Sequence, residues 1–223
     1  MSLIRQSVQF DKKLLDSDAL KIVKKLDKSG YEAYLVGGCI RDLLLGYAPK
    51  DFDIATNATP EQIQKIFKRS RIIGRRFKLV HIMFSARKFI EVATFRSSKT
   101  NPTSTKGMVL RDNFYGSLKD DVFRRDFTIN GLYFDVKNSQ VLDYVQGLED
   151  LKKLQINMIG NPSERFEEDP VRMIRAVRFK AKLKAAINSN LNKSIKKNAH
   201  LIVNVPPARL YEEVIKLFHN ENS

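Results

Sequence analysis

Apolar residues recur at helical spacing between Ser17 and Ser29, at Leu20, Ile22, Val23 and Leu26, and Gly30 follows as a stop. That pattern predicts a helix. Glu32 to Val36 reads as a strand, Ile40 to Leu45 as a short helix ended by Gly46, and Phe52 to Ala55 as a second strand. Thr59-Pro60-Glu61 has the form of a helix start, with a capping threonine and proline in the first turn, and the helix runs to about Phe67. Three β-rich runs come next: Arg71 to Ile73, Leu79 to Phe84, and Phe89 to Phe95. From Arg96 to about Lys106 the chain turns polar, with Lys99 and Pro102, and Gly107 beyond; this reads as a surface loop.

Val122 to Asn130 reads as helix or turn, and Gly131 to Val136, Val141 to Asp143 and Leu154 to Ile159 as strands. After Gly160 the strand signal fades. Pro162 to Phe179 and beyond reads as helix, as does Pro207 to Phe218. The pattern predicts an α+β head with a mixed sheet over residues 1–155 and a helical unit over 156–223.

Composition narrows the class. With 43% hydrophobic residues in 223, the chain can bury a core. A net charge of +15 points to a polyanionic partner, nucleic acid first and an anionic membrane surface second, against a merely basic enzyme. Cys39 is the only cysteine, so an internal disulfide and a thiolate zinc site are excluded, and a reducing compartment, the cytoplasm, is expected. No apolar run approaches the length of a membrane span, and the first ten residues lack a signal-peptide core.

Candidate chemistry begins at Gly37 and Gly38, which close an apolar run and open a short helix. A glycine turn lets backbone amides approach a ligand, and the helix aims its positive end there. Asp51 and Asp53 follow. On a strand they share a face, with Phe52 on the other. Two carboxylates about 5 Å apart repel by about 3 kcal/mol at an effective dielectric near 20, a cost that a divalent cation removes. An amide-lined turn beside a carboxylate pair suits a magnesium–triphosphate complex.

Asp126, beside Arg124 and Arg125, either pairs with a neighbouring arginine at a helix cap or completes a three-carboxylate metal site, with Arg125 on triphosphate oxygens. In Glu168-Asp169-Pro170-Val171-Arg172, Pro170 fits a first helical turn and Asp169 its positive end. Arg172, Arg175 and Arg178 step by three and form one ridge. Apolar residues between them predict a largely buried helix, so these arginines need acceptors: either Glu164, Glu167 and Glu168, or a nucleotide. Asp169 accepting from an exocyclic amine and Arg172 donating to the adjacent ring nitrogen would complement adenine and cytosine alike, and oppose guanine and uracil. His81 lies in an apolar strand and reads as a core or surface residue rather than a general base.

The runs LVGGCIRDLLLG with DFD, RRDFTING, DYVQGLEDL, EDPVRMIRAVRF and PPARLYEEVIKLF, spanning Tyr34 to about Phe218, together resemble the class II nucleotidyltransferases of the polymerase-β superfamily: bacterial poly(A) polymerases and tRNA CCA-adding enzymes. The resemblance implies a polymerase-β-like head followed by a neck. It implies metal binding by Asp51, Asp53 and Asp126, with magnesium, or manganese in its place, as cofactor. It further implies nucleotide contacts from Gly37, Gly38, Arg41 and Arg125, and base and phosphate reading by Asp169, Arg172, Arg175 and Arg178.

The run Ile72 to Ile82, with Arg75, Arg76, Phe77 and Lys78, resembles the poly(A) polymerase form, as does Val205 to Leu210. The implied activity is addition of AMP from ATP to RNA 3′ ends, on mRNA or tRNA-like RNA, in mRNA processing and decay. CCA addition to tRNA is the near alternative. Family members usually continue beyond the neck into an RNA-gripping body, whereas this sequence ends at Ser223. A truncated RNA- or nucleotide-binding module without activity is therefore the rival of a different class.

Overall fold

The computed structural model describes residues 2–74, 78–85, 87–97 and 115–218. Arg75 to Phe77 and most of the polar stretch after Arg96, both singled out above, lie outside the described residues. The chain divides into two units. The first comprises Met1–Arg124 and Asn130–Tyr144, the second Arg125–Ile129 and Val145–Ser223.

In the first unit, strand β1 (Ile4–Ser7) precedes helix α1 (Ser17–Lys28). Asp16 caps α1 by accepting from the Asp18 and Ala19 amides, and Ala19, Ile22, Val23 and Leu26 form its buried face. Gly30, at φ 85°, takes the left-handed turn that ends it. Strand β2 (Ala33–Val36) runs into helix α2 (Gly38–Leu44), and strand β3 (Asp53–Thr56) follows. Helix α3 (Pro60–Ile66) starts on a full capping box between Thr59 and Gln62, with Pro60 in the first turn. Strands β4 (Ser70–Ile73), β5 (Leu79–Met83) and β6 (Phe89–Thr94), helix α4 (Leu118–Phe123), and strands β7 (Leu132–Asp135) and β8 (Gln140–Asp143) complete this unit.

The strands form one mixed sheet in the order β1-β8-β7-β2-β3-β6-β5-β4. Only the β3–β6 pair is parallel among the described ladders of this sheet. Leu35, Val36, Ile54, Ala55 and Val92 are buried in its central strands. This is the mixed-sheet α+β architecture expected of a polymerase-β-like head.

In the second unit, helix α5 (Gly147–Lys152) leads to strand β9 (Gln155–Ile156), and helices α6 (Pro162–Glu168) and α7 (Val171–Leu183) follow. Strand β10 (Ala186–Ile187) pairs in parallel with β9, then come helices α8 (Ser189–Asn198) and α9 (Pro207–Phe218). Two expectations need correction here. Helix is not continuous from Pro162: Asp169 is extended, at φ −156° and ψ 94°, and separates α6 from α7. The ring of Pro170 disfavours helical backbone at the residue before it. The expectation of a largely buried α7 holds for one face only. Val171, Met173, Ala176, Phe179 and Leu183 are buried, but Val177 is 42% exposed.

Candidate nucleotidyl-transfer site

Register brings the glycine turn to the aspartate pair. Val36 lies opposite Asp53 in the β2–β3 ladder, so Gly37 leaves the sheet beside that residue. Gly37 holds φ 72° and ψ −126°, a conformation costly for any residue with a Cβ, and donates its N–H to the Leu132 carbonyl at 3.1 Å. A Cβ on Gly38 would stand 3.5 Å from the Arg41 guanidinium. That guanidinium supports the turn from within. It is 4% exposed, bonds Asp42 through Nε at 2.8 Å and Nη2 at 2.7 Å, and donates Nη1 to Asn130 Oδ1 at 2.6 Å.

Asp51 and Asp53 are exposed while Phe52 between them is buried. Both acids line a cavity of about 520 Å³ together with Asp16, Lys50, Lys88 and Glu91. Glu91 arrives by long-range pairing: it lies in register with Asp53 on the parallel neighbour β6. Its Oε1 is 3.1 Å from His81 Nε2, and the His81 ring stacks on Phe89 at 4.2 Å. Lys88 bridges Asp16 and Asp18 at 2.8 Å each. Burial pushes the Asp16 carboxyl up, but Lys88 and the helix-cap amides together outweigh it and hold Asp16 below its ordinary value. Among the described residues, no three acidic, histidine or cysteine side chains converge as a ready metal-ligand set.

The second unit carries a separate constellation. Asp126 accepts from the Phe127 N–H at 2.7 Å through Oδ1 and from Arg175 through Oδ2, at 2.8 Å from Nε and 2.7 Å from Nη2. Arg175 also reaches Glu213 Oε1 at 3.0 Å, and Arg178 Nε reaches Glu213 Oε2 at 2.8 Å. Both guanidinium groups lie over the Phe179 ring. Arg172 donates Nη1 to the Arg165 carbonyl at 2.7 Å and to Glu168 at 2.8 Å. The Arg125 carbonyl accepts from Arg165 at 2.6 Å. Asp169, freed by the helix break, faces Arg209 on α9, which donates Nη1 to Oδ1 at 3.1 Å and Nη2 to Oδ2 at 2.8 Å. Asp126, Asp169, Arg172, Arg175, Arg209 and Glu213 line a cavity of about 240 Å³.

Internal acids therefore do meet the arginine ridge, but through Asp126 and Glu213 as well as Glu168. Sequence reasoning missed Glu91, Arg209 and Glu213. The last two stand four residues apart, on one helical face. That spacing puts both on the face turned to the segment of Asp169 and α7, where Arg209 meets Asp169 and Glu213 meets Arg175 and Arg178.

The sequence pattern of the poly A polymerase head domain matches residues 33–157, more than half of the chain. The chain belongs to the poly(A) polymerase head-domain family. A second pattern, described as a probable RNA and SrmB-binding site of polymerase A, matches residues 186–223. Poly(A) polymerase I of Salmonella typhi is 50% identical over 98% of this chain and 48% of its own length. A CCA-adding enzyme of Ligilactobacillus salivarius is 39% identical over 92% of this chain and 50% of its own. Among solved structures, the Bacillus stearothermophilus CCA-adding enzyme in complex with CTP matches with a TM-score of 0.77 and 36% identity, over 89% of this chain and 47% of that one. The chain thus spans about half the length of the relatives it matches.

Proposed function

We propose that this chain carries the catalytic and base-reading parts of a template-independent RNA nucleotidyltransferase that adds AMP from ATP to RNA 3′ ends and releases pyrophosphate. The observation that carries the proposal is the register of the glycine turn against Asp53, with Asp51 on the same cavity. The 50% identity to poly(A) polymerase I supports the choice of ATP.

Two adjacent exposed carboxylates in a cavity of mixed charge are hard oxygen donors of the kind magnesium, or manganese, takes. Asp51 and Asp53 would hold the ion, which when bound lowers the pKa of the attacking hydroxyl and neutralises triphosphate charge. Glu91 is the further acid that register offers in this unit, and Asp126 the one the family resemblance assigns. Gly38 presents its amide to phosphate oxygens; the Gly37 N–H is spent on the Leu132 carbonyl, so Gly37 serves through the backbone turn it makes, with Arg41 stiffening that turn from beneath. In the second unit, Asp169 accepts the amine of the base and Arg172 donates to its ring nitrogen. Arg175 and Arg178 are fixed by Asp126 and Glu213 beside them. The buried, unbridged thiol of Cys39 fits a reducing compartment such as the cytoplasm. Among the described residues no helix is long and apolar enough to cross a membrane.

Incubation with an RNA primer, magnesium and one nucleotide at a time tests the proposal. ATP is expected to be incorporated best. CTP offers the same donor–acceptor edge and differs mainly in size, worth about 1–3 kcal/mol, so its exclusion is expected to be partial. The CCA-adding relatives favour the second reading, in which CTP is used as well as ATP or better. That result would replace the proposal.

RNA affinity is expected to fall steeply with salt, because the +15 charge implies contacts made chiefly to phosphate. Each single-strand phosphate contact contributes about −0.7 to the log–log slope. A filter-binding titration across salt should therefore show a slope of several units. A flat response would mark the charge as unrelated to RNA.

A further inference from the structure

We infer that Arg209 is a specificity-determining residue that keeps guanine out by occupying the two-donor register of Asp169. The inference rests on the reading of the chain as an ATP-using transferase. A carboxylate alone does not oppose guanine. The Watson–Crick edge of guanine carries two parallel donors, N1–H and N2–H, and a bare carboxylate accepts such a pair bidentately, just as it accepts a guanidinium. Without Arg209, Asp169 would be a guanine receptor.

The geometry removes that option. Arg209 donates Nη1 to Oδ1 and Nη2 to Oδ2, at 3.1 and 2.8 Å, in the fork-to-fork arrangement that uses the two lone pairs facing the same way. The remaining lone pairs diverge, one on each oxygen. A single amine donor, N6–H of adenine or N4–H of cytosine, reaches one of them. No edge with two parallel donors spans both. Uracil brings one donor flanked by two carbonyl oxygens, which the carboxylate repels. Arg209 is 53% exposed and Asp169 24%, so the pair sits at the mouth of the cavity it shares with Arg172, where a base would enter. The backbone fixes the pairing from both sides. The break before Pro170 turns Asp169 outward, and α9 packs along α7 to bring Arg209 to it.

The test compares the full chain with its Arg209→Ala and Arg209→Lys variants. Displacement of a fluorescent ATP analogue by ATP, CTP and GTP is measured alongside single-nucleotide incorporation, with circular dichroism as the check on folding. Arg209→Ala is expected to raise GTP affinity relative to ATP at least tenfold. Arg209→Lys, one donor centre without the fork, should fall between. Because Arg209 is half exposed, both variants should fold, and the lysine variant keeps the charge if the alanine variant does not. An unchanged ATP-to-GTP ratio in folded variants overturns the inference while leaving the proposed function standing. A wild-type chain that binds neither ATP nor its analogue overturns both.

Discussion

Asp53→Ala is expected to lower nucleotide incorporation by about a thousandfold while leaving the fold intact. The proposed ion contributes several kcal/mol of charge stabilisation in the transition state, and each 1.36 kcal/mol is about tenfold in rate. Asp53 is exposed at the start of β3, so its truncation leaves no internal void. It also relieves repulsion from Asp51. The midpoint of thermal unfolding should therefore hold, with a stability change of about 0.5 kcal/mol or less. Raising magnesium should not restore turnover, because the missing ligand is not replaced by concentration alone. Wild-type turnover in this variant at saturating magnesium would refute the metal assignment. Glu91→Gln and Asp126→Asn assayed in the same series separate the two candidates for the third acid. The one that ligates should shift the magnesium dependence.

The contrast between Asp53 and Glu91 explains why part of this site was legible in the chain and part was not. Asp51 and Asp53 are readable as a pair through the two-residue period of an extended chain, a local property, although β3 itself begins only at Asp53. The glycine turn announces itself for the same reason, since Gly37 occupies backbone space closed to other residues. Glu91 joins them only through a parallel ladder between strands nearly forty residues apart, and no local pattern specifies which strands pair. Arg209 and Glu213 likewise depend on the packing of α9 along α7. At the level of the fold, α1 and α3 were readable because apolar spacing and caps agree. Strand β1 was not. All four of its residues are exposed, so it follows no burial alternation and exists by pairing with β8 at the sheet edge. The two-residue strands β9 and β10 are too short to carry a period.

The second large effect is expected at Glu213, in the helical unit. Its carboxylate is 7% exposed and shared by Arg175 and Arg178, at 3.0 and 2.8 Å. Removing one partner from a buried ionic cluster leaves charges desolvated without compensation, typically a loss of 3–5 kcal/mol. Arg175 keeps Asp126 after the change, so Glu213→Ala should fall near the lower end, about 3 kcal/mol. At roughly 2–4 °C per kcal/mol the unfolding midpoint should drop by roughly 6–12 °C.

Acid should reproduce part of this. Burial pushes the Glu213 carboxyl up, but Arg175 and Arg178 outweigh burial and hold it below its ordinary 4.5. The folded state therefore binds fewer protons at this site than the unfolded state. Its stabilisation is fully present above the unfolded value and is lost as pH falls through the folded one. Urea unfolding at pH 7 should separate wild type from Glu213→Gln clearly. As pH falls through the folded value, which lies below 4.5, the two should converge, because the wild-type carboxyl is then protonated as well. Equal stability at pH 7 would show that the arginines find other acceptors and that Glu213 does not anchor them. A difference that persists unchanged into acid would assign the effect to packing rather than to charge.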